Sequence, residues 1–538
     1  MMTHTLTWLL LVPLLGSLFI LIMPKQNEGA IKGASLLIML GEFLLSLRLL
    51  WADYSTAGYR FVEQVTWVES LGISYKLGVD GLSLWLVLLT TALTPVALYA
   101  SWGGVTTRIK EYAFSFLMLE LGMLGAFVAL DLFLFYVFWE LMLVPMYLII
   151  GIWGGKDRVY AALKFFIYTF VGSLLMLVAI LYIVNTYEAI AGYYTFDLEK
   201  LTTLVLPAVP QYLLFGAFAV AFAIKVPMFP FHTWLPDAHV QAPTGGSIVL
   251  AAVLLKLGVY GFIRFAMPLF PVASQVIGPV LAGLGVLGII YGAYAAWVQR
   301  DLKKLVAYSS VSHMGFILLG LFAMNRHGVS GAILQMINHG VSTGALFLLV
   351  GVIYDRRHSR MLDDFGGLAK VMPWYATVFV IVTMSSIGLP GTNGFVGEFM
   401  ILAGSFFSRG TVGFGNTWFV MTLFAATGVI FAAVYMLHAV LRMFWGKVTH
   451  EENEGLSDLN RRETIALIPL VALVFWIGLY PKFFLDKMNP SVDAFITDFS
   501  VRYQESRGVS NPRIVGLQAI DPTDGGAYAW ADDKGDER

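Results

Sequence analysis

The chain of 538 residues contains no cysteine. That leaves nothing here to build thiolate-held iron–sulfur clusters, disulfides or a thiol nucleophile. Charge is nearly as scarce. Asp, Glu, Lys and Arg make up only 13% of the residues, and 34 basic against 35 acidic residues leave a net charge of −1. A soluble domain of this length needs more polar surface than that to cover its exterior, and so even a balance offers no basic footprint for nucleic acid. What is plentiful is apolar: 58% of the residues are hydrophobic, and the mean hydropathy is +0.75. The apolar residues fall in repeated runs of roughly 20, too long for ordinary core helices and long enough to cross a bilayer. The first run, Thr5 to Met23, has no basic residue before it and no small-residue cleavage site after it. It reads as a retained first span and not as a cleaved signal peptide.

Hydropathy divides the chain into fourteen expected spans: 5–23, 31–51, 81–101, 112–130, 131–153, 162–185, 210–231, 243–268, 273–297, 303–324, 331–354, 373–406, 417–445 and 464–480. Long connections at 52–80 and 186–209 interrupt them, and a polar tail follows Pro481, with acids at Asp521, Asp524, Asp532, Asp533, Asp536 and Glu537. That tail reads as a solvated surface extension without chemistry. An even number of spans puts both termini on one side. Connections after odd-numbered spans hold seventeen Lys and Arg, among them Lys156, Arg300, Lys303, Lys304, Arg356 and Arg357, against seven on the other side. The basic side faces inward, so both termini are expected outside.

Against this apolar background, a few ionisable residues stand near span centres. Glu140 sits in Phe138-Trp139-Glu140-Leu141, Lys225 in Ala223-Ile224-Lys225-Val226-Pro227, Lys256 in Leu255-Lys256-Leu257 and Glu398 in Gly397-Glu398-Phe399. Lys164, His313, His339 and His438 add to the set. Each buried charge costs about 2.5–3.5 kcal/mol on insertion, so four together burden the fold by on the order of 10 kcal/mol. Such residues persist where they pair, face water or carry ions. Blander explanations exist for several of them. Glu140 and Lys225 also fit a static ion pair pinning two helices, His313 and His339 fit interhelical hydrogen bonds, and Lys164 fits a snorkelling side chain. Glu42 and Glu120 fit plain helix packing.

Two spans carry their own breaks. Pro227 and Pro230 follow Lys225 and lack the N–H groups that would bond the carbonyls of Ala223 and Val226. Gly388-Leu389-Pro390-Gly391 interrupts the twelfth span just before Glu398. Broken helices at membrane depth survive where they line a cavity, and in transporters they mark the ion site. The seventh and twelfth spans are five apart and so run in opposite directions; Lys225 precedes its break and Glu398 follows its own. The same offset relates Glu140 to His313 and Lys256 to His438, the pattern of two inverted five-helix repeats, spans 4–8 and 9–13. The expected architecture is therefore an all-α integral membrane protein. It comprises a three-helix N-terminal segment (1–111), two half-channels (112–268 and 269–445), and a last span with its tail (446–538). Two decoys are set aside. Gly283-Leu284-Gly285-Val286-Leu287-Gly288 matches the dinucleotide glycine pattern but lies inside a span without a βαβ context, and helix packing explains its glycines. His232, Asp237 and His239 fit no standard metal spacing.

Four stretches carry a resemblance: KVPMFPFHTWLPDAHVQAPTGGSIVLAAVLLKLGVYG (225–261), LDLFLFYVFWELMLVPMYLIIGIWGG (130–155), RDLKKLVAYSSVSHMGF (300–316) and GLPGTNGFVGEFMIL (388–402). Across residues 5–480 the chain is similar to the antiporter-like proton-channel subunits of respiratory complex I. Within that family it resembles the M branch, the counterpart of mitochondrial subunit 4. It has glutamate at 398, where the other two branches usually carry lysine, and no long amphipathic C-terminal helix is read from its sequence. The resemblance implies that Glu140 pairs with Lys225, that Lys256 is a central relay and Glu398 the exit group, and that His313 and His339 connect the half-channels, with Lys164 in support. It also implies no cofactor or redox centre in this chain, with NAD, FMN, iron–sulfur clusters and quinone handled by partner subunits. The expected partners are other complex I membrane subunits, two of them antiporter-like, in a bacterial inner membrane. A subunit of a multisubunit sodium/proton antiporter is the nearest rival. A quinone-processing enzyme subunit and a plain scaffold fit less well, the first for want of cysteine and nucleotide motifs, the second because it leaves the central charges unexplained.

Overall fold

The computed structural model describes residues 4–408, 416–515, 517–518 and 529–530. The acids from Asp521 to Glu537 lie outside the described residues. The fold is a multi-pass helical membrane protein. Among the described residues, twelve helices have the length and apolar composition to cross a membrane, from Thr5–Ile22 to Arg461–Leu479. Shorter apolar helices, Leu84–Ala100 and the pair Pro373–Ser386 and Asn393–Phe407, occupy the remaining two expected intervals. The sixth interval is longer than hydropathy suggests: its helix runs Arg158–Ala191, because Asn185, Thr186 and Glu188 continue it past the apolar run.

Three helices have almost no outward-facing surface: Thr244–Leu269, Leu302–Phe322 and Arg326–Arg357. They form the axis of the molecule and carry Lys256, His313 and His339. Glycines let these helices approach their neighbours. A Cβ on Gly258 would come within 2.7 Å of the Phe222 carbonyl, so the Lys256 helix lies directly on the end of the Lys225 helix. A Cβ on Gly285 would meet the Gly315 carbonyl at 2.9 Å, which accounts for the glycine-rich decoy as close helix packing.

The helices bearing Glu140, Lys225, Lys256 and Glu398 are each irregular beside that residue. Pro145 lacks the N–H for the Leu141 carbonyl, and the Leu132–Leu141 and Leu143–Trp153 helices meet at Met142, two residues after Glu140. The Ala208–Lys225 helix ends on Lys225 itself, placing the ammonium at the negative end of the helix dipole. Beyond it the backbone recovers one of its partners: Met228 N–H donates to the Ala223 carbonyl (2.9 Å), so that carbonyl is not free as the prolines had suggested. Lys256 stands on an α-helical turn between two π-helical stretches, Leu250–Leu254 and Phe262–Ala266. Glu398 lies in the second turn after the break between Ser386 and Asn393.

The connection 52–80 forms an antiparallel hairpin, Arg60–Val68 with Ile73–Val79. Asp131 binds it to the Glu140 helix. Its carboxylate accepts from Ser74 N–H (3.0 Å) and Oγ (3.1 Å), and also caps the helix start through Phe133 and Leu134 N–H. Burial alone would push the Lys76 ammonium down, but hydrogen bonds to Asp197 (2.8 Å) and Glu199 outweigh it and hold the group above its usual value.

The expectation of a polar, solvated tail directly after Pro481, with no long amphipathic helix, needs correction. Lys482–Ser506 is a 25-residue helix that buries Phe484, Met488, Val492, Phe495 and Phe499. These recur every three or four residues and make one apolar stripe, which low average hydropathy conceals.

Candidate functional site

The axis holds a continuous line of titratable side chains. Lys256 Nζ lies 2.6 Å from His339 Nδ1 and donates to the Ala251 carbonyl at 2.5 Å, five residues back. Ala251 lies inside the π-helical stretch Leu250–Leu254, which loosens the ladder where that carbonyl is used. The His339 and His313 rings are 5.6 Å apart, and His313 Nε2 stands 3.7 Å from Glu398 Oε1. All four residues are buried. His313 sits between two carbonyls, Ser309 O at 2.8 Å from Nδ1 and Ser386 O at 2.9 Å from Nε2. A neutral imidazole donates to one of these and an imidazolium to both. The Ser386 carbonyl is available because the helix breaks there. Gln335 Nε2 donates to Glu398 Oε1 at 3.2 Å, and Asn338 Nδ2 holds Gln335 (3.1 Å) and the Asn393 carbonyl (2.7 Å). The nearby glycines are sterically required. A Cβ on Gly388, whose φ is +75°, would come within 2.8 Å of Glu398 Oε2, and one on Gly397 would collide with Gln335.

Glu140 and Lys225 are arranged differently. They make no ion-pair contact within 4.0 Å; Lys225 Nζ and Glu140 Oε1 are both buried without a hydrogen-bond partner. Lys225 Nζ lies over the Trp139 ring at 5.1 Å and the Phe165 ring at 5.8 Å. The two charges feel each other across space, and the expected contact pair is here a separated one. Lys164 does more than snorkel: its Nζ binds Asp237 Oδ2 at 2.7 Å. His438 is half-buried on Thr417–Phe444 and joins none of these contacts. Glu42 and Glu120 are buried in the N-terminal helices, where the Thr94 hydroxyl donates to Glu120, away from the line.

A separate cavity opens among the basic connections. Its volume is about 500 Å³, and Lys303, Asp301, Asp355 and Arg360 line it. Lys303 points inward, donating to the Ala242 carbonyl at 2.6 Å. Beyond it His239 stacks on Phe347 at 4.4 Å with both ring nitrogens unpartnered, and both Lys303 and Lys256 act electrostatically on it. Neither Lys303 nor His239 was singled out by the sequence for this place. Nothing local distinguishes Lys303 from its neighbour Lys304, and His239 stood out only within a poor metal pattern. Among the described residues no group of three His, Cys, Asp or Glu is placed to hold a metal ion; His232 instead packs against Phe229 and Tyr291, and Asp237 serves Lys164.

Residues 129–427, more than half the chain and all of this line, match the family described as NADH:quinone oxidoreductase/Mrp antiporter, TM. The chain belongs to that family. It is 48% identical over 484 residues to NADH-quinone oxidoreductase subunit M of Rhodobacter capsulatus, a match covering 88% of this chain and 92% of the relative. A chain of respiratory complex I from Thermus thermophilus superposes with a TM-score of 0.82 at 31% identity, over 92% of this chain and 99% of that one. A chain of the Mrp complex from Dietzia shares the fold (TM-score 0.80) at 20% identity, over 94% of this chain and 99% of that one.

Proposed function

We propose that this chain is the proton-translocating M-type membrane subunit of an NADH:quinone oxidoreductase, and that protons cross it through Lys256, His339, His313 and Glu398. The observation that carries this reading is the unbroken line from Lys256 to Glu398. Each member can take up and release a proton, and each is within contact or near-contact of the next. Lys303 and His239 feed it from the basic, inner side; Glu398 discharges it outward, beyond the helix break. At Lys256 the ammonium passes a proton to His339 Nδ1 and is left neutral, a form its apolar surroundings tolerate. Glu140 and Lys225 control this step through the field they set, and because they are separated, their distance can change. A carboxylate drawn toward Lys225 stabilises its charge; withdrawn, it leaves the ammonium unsupported and free to hand its proton toward Lys256.

Redox energy is supplied by partner subunits that hold NAD, FMN, iron–sulfur clusters and quinone, and two of the membrane partners are themselves antiporter-like. The identity to subunit M relatives favours this assignment over an Mrp-type antiporter, with which the likeness at 20% is one of fold. The chain spans a bacterial inner membrane fourteen times in two inverted repeats, with both termini outside. Cysteine placed at Ser510 is expected to label from outside in intact cells, and cysteine at Lys156 is not; reversed labelling overturns the orientation. The transport reading itself is tested at the exit. Glu398→Gln keeps size and hydrogen bonding, so the complex is expected to assemble while proton output per NADH oxidised collapses in reconstituted vesicles. Normal output from that variant would refute Glu398 as a station.

A further inference from the structure

A second buried acidic site lies in the N-terminal helices, away from the line. Glu42 on the Glu28–Ser46 helix and Glu120 on the Ile109–Val128 helix are both fully buried. Their carboxyl groups face each other within hydrogen-bonding reach. An ionised carboxylate only accepts hydrogen bonds, yet Glu42 Oε1, Glu42 Oε2 and Glu120 Oε2 have no donor from any other group. The remaining oxygen, Glu120 Oε1, meets the Thr94 hydroxyl on the Leu84–Ala100 helix. That hydroxyl has one hydrogen and two acceptors within reach, Glu120 and the Thr90 carbonyl at 3.0 Å. The site is therefore short of hydrogens. It is also short of counter-charge. The Thr5–Ile22 helix brings no ionisable side chain, and the Leu84–Ala100 helix brings only Tyr99. The other charges on the surrounding elements are Glu28, Lys32 and Arg48 along Glu42's stretch, Lys110 and Glu111 along Glu120's, and Lys76, Glu140 and Lys256 beyond. None of them acts on either carboxyl.

We infer that Glu42 and Glu120 are a hydrogen-bonded pair of carboxylic acids, each keeping its proton at neutral pH, and that this proton-holding site latches the Glu28–Ser46 helix to its two neighbours. The hydrogens then suffice. The Glu42 hydroxyl donates to Glu120 Oε2, the Glu120 hydroxyl at Oε1 donates to Thr94, and Thr94 donates to the Thr90 carbonyl. Two ionised carboxylates in the same place repel each other with no cation to offset them. Removing even one proton leaves a lone charge in apolar surroundings, so alkali is the condition that opens the latch. One turn further along, the Ser46 and Thr91 hydroxyls, 2.7 Å apart, tie the same helix to the Leu84–Ala100 helix without any titratable group. The inference does not rest on the relay reading, because the pair holds its protons and passes none.

The test uses the whole complex. Glutamine has the shape of a neutral carboxyl and both donates and accepts, so Glu42→Gln and Glu120→Gln are expected to assemble and to pump normally at neutral pH. Failure of either to assemble contradicts a neutral pair, and lost proton output from an assembled variant makes the pair a transport station instead of a latch. Infrared difference spectra against wild type count the protons. Each variant is expected to lose one carbonyl band of a protonated carboxyl. Loss of an ionised-carboxylate band instead, as for a metal cation held between the two groups, overturns the assignment. Opening is read with a thiol in this cysteine-free chain. Met39, buried on the same helix, is replaced in Met39→Cys, and alkylation of this chain is followed by mass spectrometry. Raising the pH is expected to speed labelling several-fold more beside the native pair than in a Glu42→Gln/Glu120→Gln background, where the thiol ionises alike. Equal acceleration in the two backgrounds overturns the latch.

Discussion

The two halves of the buried charge system are built on opposite plans. Around Lys225 and Glu140 the charges are held apart: Lys225 Nζ and Glu140 Oε1 have no hydrogen-bond partner, and Lys225 lies against aromatic rings. Around Lys256, His339, His313 and Glu398 the groups touch or nearly touch and are propped by amides, hydroxyls and carbonyls. An unpartnered buried charge is costly and therefore sensitive to small displacements. A supported chain of titratable groups is stable in place and suited to repeated transfer. On the proposed reading, the difference is a division of labour: the first region sets when a proton moves, and the second sets where it goes.

The comparison breaks most completely when one charge of the first region is removed. Lys225→Met and Glu140→Gln each leave the other group buried with its counter-charge gone, a change on the order of 3–5 kcal/mol for a buried pair. Both variants are expected to reduce NADH-driven proton uptake and quinone-linked NADH oxidation by at least about tenfold, which about 1.4 kcal/mol suffices to produce. Near-normal turnover with normal proton output in both would show that the region does not control the second.

A gentler change sharpens the contrast. Trp139→Leu removes the ring face over which Lys225 lies and keeps both charges. A cation–π contact of this kind contributes about 1–2 kcal/mol when desolvated, so the expected loss of proton output is several-fold, between wild type and Lys225→Met. An unchanged rate would assign the aromatic face to packing alone.

How much of this was legible from the sequence follows from what makes a residue conspicuous. Glu140, Lys225, Lys256 and Glu398 stood out because a charge in a long apolar run is expensive wherever it points. The breaks after Lys225 and before Glu398 were legible because proline and glycine mark them. The π-helical stretches flanking Lys256 were not, since Leu250–Leu254 and Phe262–Ala266 contain neither. The separation of Glu140 from Lys225 depends on how three helices pack, and opposite charges in sequence suggested a contact that the fold does not make. Lys303 was hidden among the basic residues of the connections, and Asn338 and Ser386 are ordinary polar residues until burial leaves an atom of each unpartnered. The Lys482–Ser506 helix was missed because its apolar stripe is diluted by charge.

The claim that protons pass through Lys256, and are not merely attracted by it, is tested most directly by Lys256→Arg. Arginine keeps the positive charge but does not release its proton in a protein. The measurement is proton uptake per NADH oxidised in vesicles carrying the assembled complex. The account predicts that Lys256→Arg assembles and pumps little or nothing. Pumping at the wild-type ratio would make Lys256 an electrostatic prop and send the proton path elsewhere.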